Sequence, residues 1–280
     1  MQSISRRTTF KYLLAGAAIG GATQWSAASA KPTKEPAKSD VVFHGTGFEP
    51  MTMHIVAGET IDVSSVAPST LKLTSAPDAP AKILETIAPK GKASIRFDKP
   101  GLYLLYDAET TRFDKKVGQV VAEKSSIQFP MPAYAIVLVT TANGRGLDTT
   151  GSHINIPDSS MTFRPWSIVV DAGQEVTFVN NDMDMHIVIP STEPMIMKEF
   201  RVATRQLSQR LWLDKMESFA PITLKGGGGK GVLTLSQPGL HHYFCPVHAA
   251  YNASAYTFAP FKSYGGYPFI MDGVIVVLPT

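Results

Sequence analysis

The chain has 280 residues, 44% of them hydrophobic and 18% charged, with a formal net charge of +3. That composition suits a folded protein of one large domain or two small ones and excludes a low-complexity or fibrous chain. The charge excess lies in the first 30 residues: without Arg6, Arg7 and Lys11, 26 − 3 = 23 basic residues face 23 acidic ones. No basic stripe is left to bind nucleic acid, and a lone cysteine excludes a disulfide framework.

In chain order, residues 5–11 read SRRTTFK, residues 12–22 are apolar, and residues 28–30 read Ala-Ser-Ala. A charged start, a short apolar run and a small-residue cleavage site make a secretory signal, here of the twin-arginine type. The apolar run is shorter than the ~20 residues a membrane span needs. Cleavage after Ala30 and a periplasmic location are expected, with membrane contact only through an uncleaved signal. Residues 31–40, KPTKEPAKSD, form a polar Lys/Pro linker.

Beyond the linker the chain repeats itself. Residues 48–71 match residues 163–186 at an offset of 115, pairing Phe48 with Phe163, Pro50 with Pro165 and Gly58 with Gly173. At a larger offset, GKASIRFDKPGLYLLYDAET (91–110) lines up with GKGVLTLSQPGLHHYFCPVH (229–248), and VGQVVAE (117–123) with DGVIVVL (272–278). One architecture used twice is the reading, with a first domain at 41–124, an interdomain segment at 125–160 and a second domain at 161–280. Each copy alternates short β-branched runs with Ala-Gly and Pro-Gly turn signals, which indicates a β-sandwich. The exception is 198–216, where Phe200, Ala203, Leu207 and Leu211 recur at helical spacing and predict a short helix inside an insertion.

The chemistry-bearing residues fall in the second copy. His186 follows NNDMDM, Cys245 and His248 lie in CPVH, and Met271 opens MDGVIVV. A soft thiolate and two imidazoles, with a weak thioether on the axis, make a type 1 copper site. The stretches FVNNDMDMHIV, PGLHHYFCPVH and MDGVIVV resemble the cupredoxin (plastocyanin/azurin) family over residues 161–280. The resemblance implies an all-β chain of two tandem Greek-key sandwiches, with His186, Cys245, His248 and Met271 as ligands of one copper ion.

In the family the methionine follows the loop histidine within a few residues. Here residues 249–270 intervene, AAYNASAYTFAPFKSYGGYPFI, with seven aromatics. The axial ligand is therefore Met271, another group, or none. The aromatic segment is either a docking cap over the copper edge or an Ω-loop packed on itself.

In the first copy the ligand positions read Leu71, Asp107, Thr110 and, by the alignment of 117–123, Lys116. That domain is expected to keep the scaffold without type 1 copper, in a structural or partner-binding role. Met183, Met185, Met195 and Met197 pack around the site or form a secondary Cu(I) patch, since thioethers favour Cu(I). His241 and His242 read as ordinary strand residues, one facing outward, and His44, His54 and His153 show no ligand spacing. The run GGGG (226–229) lacks the Lys-Ser/Thr of a phosphate loop and reads as a flexible turn.

Three functions fit: a non-enzymatic periplasmic carrier of single electrons to a redox partner such as a cytochrome or respiratory complex; a copper chaperone, buffer or resistance factor; or a two-domain multicopper oxidase or nitrite reductase. The last needs His-x-His pairs or a His beside the cysteine, whereas Cys245 stands between Phe244 and Pro246.

Overall fold

The computed structural model describes residues 39–123, 131–191, 218–252, 254–260 and 269–280. The signal sequence, most of the 31–40 linker, the helix expected at 198–216, and Met195 and Met197 lie outside the described residues.

The described residues form strands and turns, without a helix. The first sandwich contains β1 (Ser39–Phe43), β2 (Phe48–Glu49), β3 (Thr52–Val56), β4 (Thr60–Ser65), β5 (Leu71–Ser75), β6 (Leu84–Ile87), β7 (Lys92–Arg96), β8 (Gly101–Asp107), β9 (Thr111–Asp114), β10 (Gln119–Ala122) and β11 (Tyr134–Thr140). Its sheets run β2-β1-β4-β7 and β3-β11-β8-β5-β6, with β9–β10 as a separate hairpin. The second contains β12 (His153–Ile156), β13 (Ser167–Asp171), β14 (Glu175–Asn180), β15 (His186–Pro190), β16 (Ile222–Leu224), β17 (Gly229–Thr234), β18 (Gly239–Phe244), β19 (Ala249–Asn252), β20 (Thr257–Pro260) and β21 (Asp272–Leu278). Its sheets run β12-β14-β17 and β13-β21-β18-β15-β16, again with a hairpin, β19–β20.

The Ala-Gly turns read from the sequence are real: Gly58 and Gly173 have φ of 95° and 82°, a left-handed conformation that glycine adopts without Cβ strain. Strand β5 alternates buried and exposed residues, as a strand with one solvated face must. Strands β11 and β21 are buried at every residue, and their sequences, YAIVLVT and DGVIVVL, are apolar almost throughout. Both faces of each strand are therefore covered.

Strand register fixes the repeat more tightly than sequence matching does. Strand β3 pairs in parallel with β11 (Thr52 with Ile136), as β13 does with β21 (Ser167 with Val274). Strand β8 pairs Leu104 with Ile136, and β18 pairs His242 with Val274. These pairings give an offset of 138 (242 − 104 and 274 − 136) on both strands. The hairpins obey it too: Thr111 pairs with Ala122, and Ala249 with Pro260.

Three sequence expectations change as a result. The counterpart of the last strand, β21, is β11 and not 117–123, which forms β10. The counterpart of Met271 is Ala133, not Lys116. Residues 125–160 are not merely a linker, because they supply β11 to one sandwich and β12 to the other. The detour from His248 to Met271 is not peculiar to the second copy either, since 22 residues also separate Thr110 from Ala133 in the first, and both stretches begin with the same hairpin, β9–β10 and β19–β20. Of the added length of the second copy, 138 − 115 = 23 residues, 22 fall between β15 and β16 (224 − 87 = 137) and one between β16 and β17 (234 − 96 = 138).

The two five-stranded sheets pack on each other. Tyr134, Ile136 and Leu138 of β11 share one apolar core with Val274, Val276 and Leu278 of β21, while Ala135, Val137 and Val139 point into the first sandwich and Ile275 and Val277 into the second. Contacts across this core are reciprocal. Gln119 donates through Nε2 to the Ile270 carbonyl at 2.6 Å, and Thr257 donates through Oγ1 to the Pro132 carbonyl at 2.7 Å. Those residues are exact equivalents at offset 138. Tyr134 donates through its hydroxyl to Asp272 Oδ2 at 2.6 Å, and these two are also equivalents, so the pair sits on a local two-fold axis. The interface is isologous, as between two copies in a symmetric dimer.

Candidate metal centre

Strand β15 places His186 at its first residue, and β18 delivers Cys245 just past its last. The tight turn after Cys245 is closed by His248 and Ala249 N–H groups donating to the Cys245 carbonyl at 3.1 and 3.0 Å, which swings His248 back over the thiol. His186 and Cys245 are fully buried, and His248 is 5% exposed.

Three donor atoms converge. His186 Nδ1 and His248 Nδ1 are 3.2 Å apart, Cys245 Sγ is 3.4 Å from the His248 nitrogen, and it is 4.0 Å from the His186 nitrogen. A circle through three points so spaced (3.2, 3.4 and 4.0 Å) has a radius of about 2.1 Å, matching the ~2.0–2.3 Å at which imidazole and thiolate reach a first-row metal ion. The same three residues are a metal-competent cluster by ligand type and spacing. A soft sulfur with two imidazoles fits copper.

Neighbouring groups orient the donors. His186 Nε2 lies 3.0 Å from Asp182 Oδ2, and a carboxylate there keeps the proton on Nε2 and leaves the Nδ1 lone pair for metal. Burial acts to raise the Asp182 carboxyl, but the bond from His186 and the Ser159 and Met183 N–H groups outweigh it and hold the group below its ordinary value. The Ile187 N–H donates to Cys245 Sγ at 3.4 Å. Without metal, burial pushes the Cys245 thiol up to about 11, against the pull of nearby N–H groups. Burial, and then the facing His186, lowers His248 to about 4.

The loop carrying Asp182 is braced from outside. Gly227 and Gly228 N–H groups donate to the Asp182 and Asn180 carbonyls at 2.7 and 2.6 Å, and Asn180 Nδ2 donates to the Asp184 carbonyl at 2.8 Å. A Cβ at Gly226 would stand 1.9 Å from the Met183 carbonyl oxygen. The GGGG run is thus a close-fitting support for the His186 loop rather than a loose turn.

Met271 is fully buried in the core that also holds Cys245, and its carbonyl accepts the Cys245 N–H at 2.9 Å. Met183 and Met185 are exposed, at 78% and 50%. Over its described part the aromatic segment packs partly on itself, with the Tyr251 and Phe258 rings edge to face at 5.4 Å, and partly on its neighbour. Its β19–β20 hairpin lies against the first sandwich, where Tyr256 stacks on His44 with ring centres 3.6 Å apart and Thr46 Oγ1 donates to the Ala255 carbonyl at 3.0 Å.

His242 does face outward from its own sandwich, as strand alternation requires, but that face is covered and both His241 and His242 are buried. His242 donates through Nε2 to Asp272 Oδ2 at 3.0 Å, and its Nδ1 is 2.5 Å from Ser191 Oγ. Asp272 also receives Gln119 Nε2 at 2.6 Å and Trp166 Nε1 at 3.0 Å. Asp182 and Asp272 carry no spacing signal in the sequence. Their roles follow from loop geometry and from a domain interface, neither of which a local pattern encodes.

The family model described as copper binding proteins, plastocyanin/azurin family, matches residues 151–255. Among solved structures, a novel purple cupredoxin from Nitrosopumilus maritimus is 14% identical, covers 45% of this chain and 99% of its own, and gives a TM-score of 0.26. Amicyanin from Paracoccus versutus (Thiobacillus versutus) is 16% identical, covers 47% of this chain and 84% of its own, and gives a TM-score of 0.27. No curated protein matches. The family match and the donor geometry carry the assignment, not these distant likenesses.

Proposed function

Residues 151–255 belong to the plastocyanin/azurin family of copper-binding proteins, and from that premise we propose that the chain is a periplasmic type 1 copper protein that carries single electrons. The observation that carries the reading is the triangle of two Nδ1 atoms and one Sγ with Asp182 fixing the far side of His186. Copper bound there supplies a one-electron Cu(I)/Cu(II) couple. His186, Cys245 and His248 would hold it, with the Met271 thioether as a fourth ligand.

The surrounding residues keep that couple cheap to cycle. Full burial of His186 and Cys245 excludes water from the thiolate. Ligands held by hydrogen bonds to Asp182 and Ile187 rearrange little between oxidation states. His248, the least covered of the three, is the exit for an electron toward a redox protein partner. All seven histidines are described, and the five outside the site are placed elsewhere: His44 against Glu49 and Tyr256, His54 on Thr140, His241 on the Gln237 carbonyl, His242 on Asp272, and His153 exposed. That distribution favours a carrier over an oxidase or nitrite reductase, which needs a second histidine-rich copper centre. The twin-arginine signal supports export.

Absorption and EPR spectra of copper-loaded protein test the proposal, with Cys245→Ser and Met271→Leu beside it. An intense thiolate-to-copper band, lost in Cys245→Ser, is expected. A second reading, copper handling, is favoured by the exposed thioethers of Met183 and Met185 beside His186. Colourless Cu(I) binding that survives Cys245→Ser would select it and reject electron transfer.

A further inference from the structure

At the positions of the ligands the first sandwich carries Leu71, Asp107, Thr110 and Ala133, yet two of its side chains reach across the interface to the residues on both sides of Met271, the Ile270 carbonyl and the Asp272 carboxylate. Gln119 Nε2 donates to the Ile270 carbonyl and to Asp272 Oδ1, both at 2.6 Å, and the Tyr134 hydroxyl donates to Asp272 Oδ2 at 2.6 Å. Between these anchors, the Met271 carbonyl receives the Cys245 N–H at 2.9 Å. The residue that would serve as axial ligand is therefore clamped through residues 270 and 272, and its own backbone is tied to the cysteine ligand.

We propose that Gln119 and Tyr134 are positioning residues for the axial side of the copper centre, so that the copper-free sandwich tunes the copper held by the other. The proposal rests on the type 1 reading of the site. The clamp is more than a relic of the duplication. Its first-sandwich mirror image, around Ala133, which has no donor atom in its side chain, is the Thr257 Oγ1 bond to the Pro132 carbonyl together with the same Tyr134–Asp272 bond on the two-fold axis. Where the clamped residue is a thioether, the hold is strengthened by a buried carboxylate that gathers Gln119 and Tyr134 from one sandwich and Trp166 and His242 from the other. Hydrogen bonds to a charged acceptor are roughly twice as strong as neutral ones. Outer-shell partners of this kind orient ligands and tune the metal.

The test is a double-mutant cycle on copper-loaded, full-length protein, with reduction potential and EPR spectrum as readouts. Tyr134→Phe removes one hydroxyl and keeps the ring; Gln119→Met keeps the volume and removes both donors. Each is expected to change the ratio of Cu(I) to Cu(II) affinity about threefold or more, which is ~30 mV where a tenfold change is 59 mV for one electron. The shift should vanish in the Met271→Leu background, because coupled residues are not additive. A readout without metal accompanies it: amide hydrogen exchange at Cys245 in the copper-free protein should speed up at least tenfold in either variant. Unchanged potential in both variants overturns the proposal, and so does a shift of full size in the Met271→Leu background. If Gln119→Met does not fold, Tyr134→Phe alone decides. If the unmutated protein shows no thiolate-to-copper band, the type 1 reading itself has failed, while the exchange experiment still reports whether the clamp holds the Met271–Cys245 link.

Discussion

Acidification of the copper-free protein should unfold it through His248. That imidazole is 5% exposed and faces His186 nitrogen to nitrogen at 3.2 Å. Burial first, and the neighbouring histidine second, lower it from the usual 6.5 to about 4. Between those two values the unfolded chain binds a proton that the folded chain refuses, so stability is intact above 6.5 and is lost as pH falls toward 4. The full window, 6.5 − 4 = 2.5, is worth about 3.4 kcal/mol at 1.36 kcal/mol per unit. From pH 7.5 to 4.5 the loss attributable to this group is about 2.5 kcal/mol. Urea unfolding of copper-free protein at the two pH values, paired with His248→Gln, isolates it. The variant should lose about 2.5 kcal/mol less than the parent over the same interval. Equal losses in both proteins would refute the reasoning, because the histidine would then be as protonable folded as unfolded.

Three further outcomes follow from the geometry. With its thiol pushed up to about 11 by burial, Cys245 is protonated at pH 8, so copper binding should release one proton from it; indicator-dye titration should register that proton, and Cys245→Ser should lose it. Asp182→Asn keeps the shape of the His186 support and removes its charge, and should weaken copper binding ~10–100-fold in a competition titration; unchanged affinity would mean that Asp182 does not orient the ligand. Because Ile136 is buried in the core shared by both sandwiches, Ile136→Ala should cost ~2–5 kcal/mol and move a single calorimetric transition, whereas two separate transitions would show that the halves unfold independently.

The metal centre was more legible in the sequence than its surroundings, for a chemical reason. Copper demands particular side chains, and a lone cysteine three residues before a histidine, with another histidine on an earlier strand, satisfies few other chemistries. The all-β fold was legible because Gly58 and Gly173 mark turns that only a few residues can make. The pairing of the last strands was not. VGQVVAE and YAIVLVT are both short apolar runs near the end of the first copy, and only hydrogen-bond register tells a hairpin strand from a sheet's central strand. The same ambiguity hid Ala133 as the counterpart of Met271. Asp182 stood beside Asp184 in NDMDMH with nothing to distinguish them until the loop folded and put one carboxylate on His186. The complete burial of β21 and β11 signals a second covered face, but the sequence does not say that each covers the other.

In the first sandwich, hydrogen-bonded and apolar side chains stand where the second has its metal donors. Lys72 and Ile187 are equivalent, and so are Asp107 and Cys245. In the copper copy the Ile187 N–H donates to the sulfur at 3.4 Å; in the other, the Lys72 N–H donates to Asp107 Oδ1 at 3.1 Å. Thr110, in the place of His248, donates to Asp107 Oδ2 at 2.8 Å, and Leu71 fills the position of His186 with full burial. The carboxylate thus ties together the two chain segments that copper would join, and satisfies the donors left there, as buried polar groups require. In the first sandwich that position is closed by hydrogen bonds to Asp107. Across its shared face, Gln119 and Tyr134 meet Ile270 and Asp272 on either side of Met271.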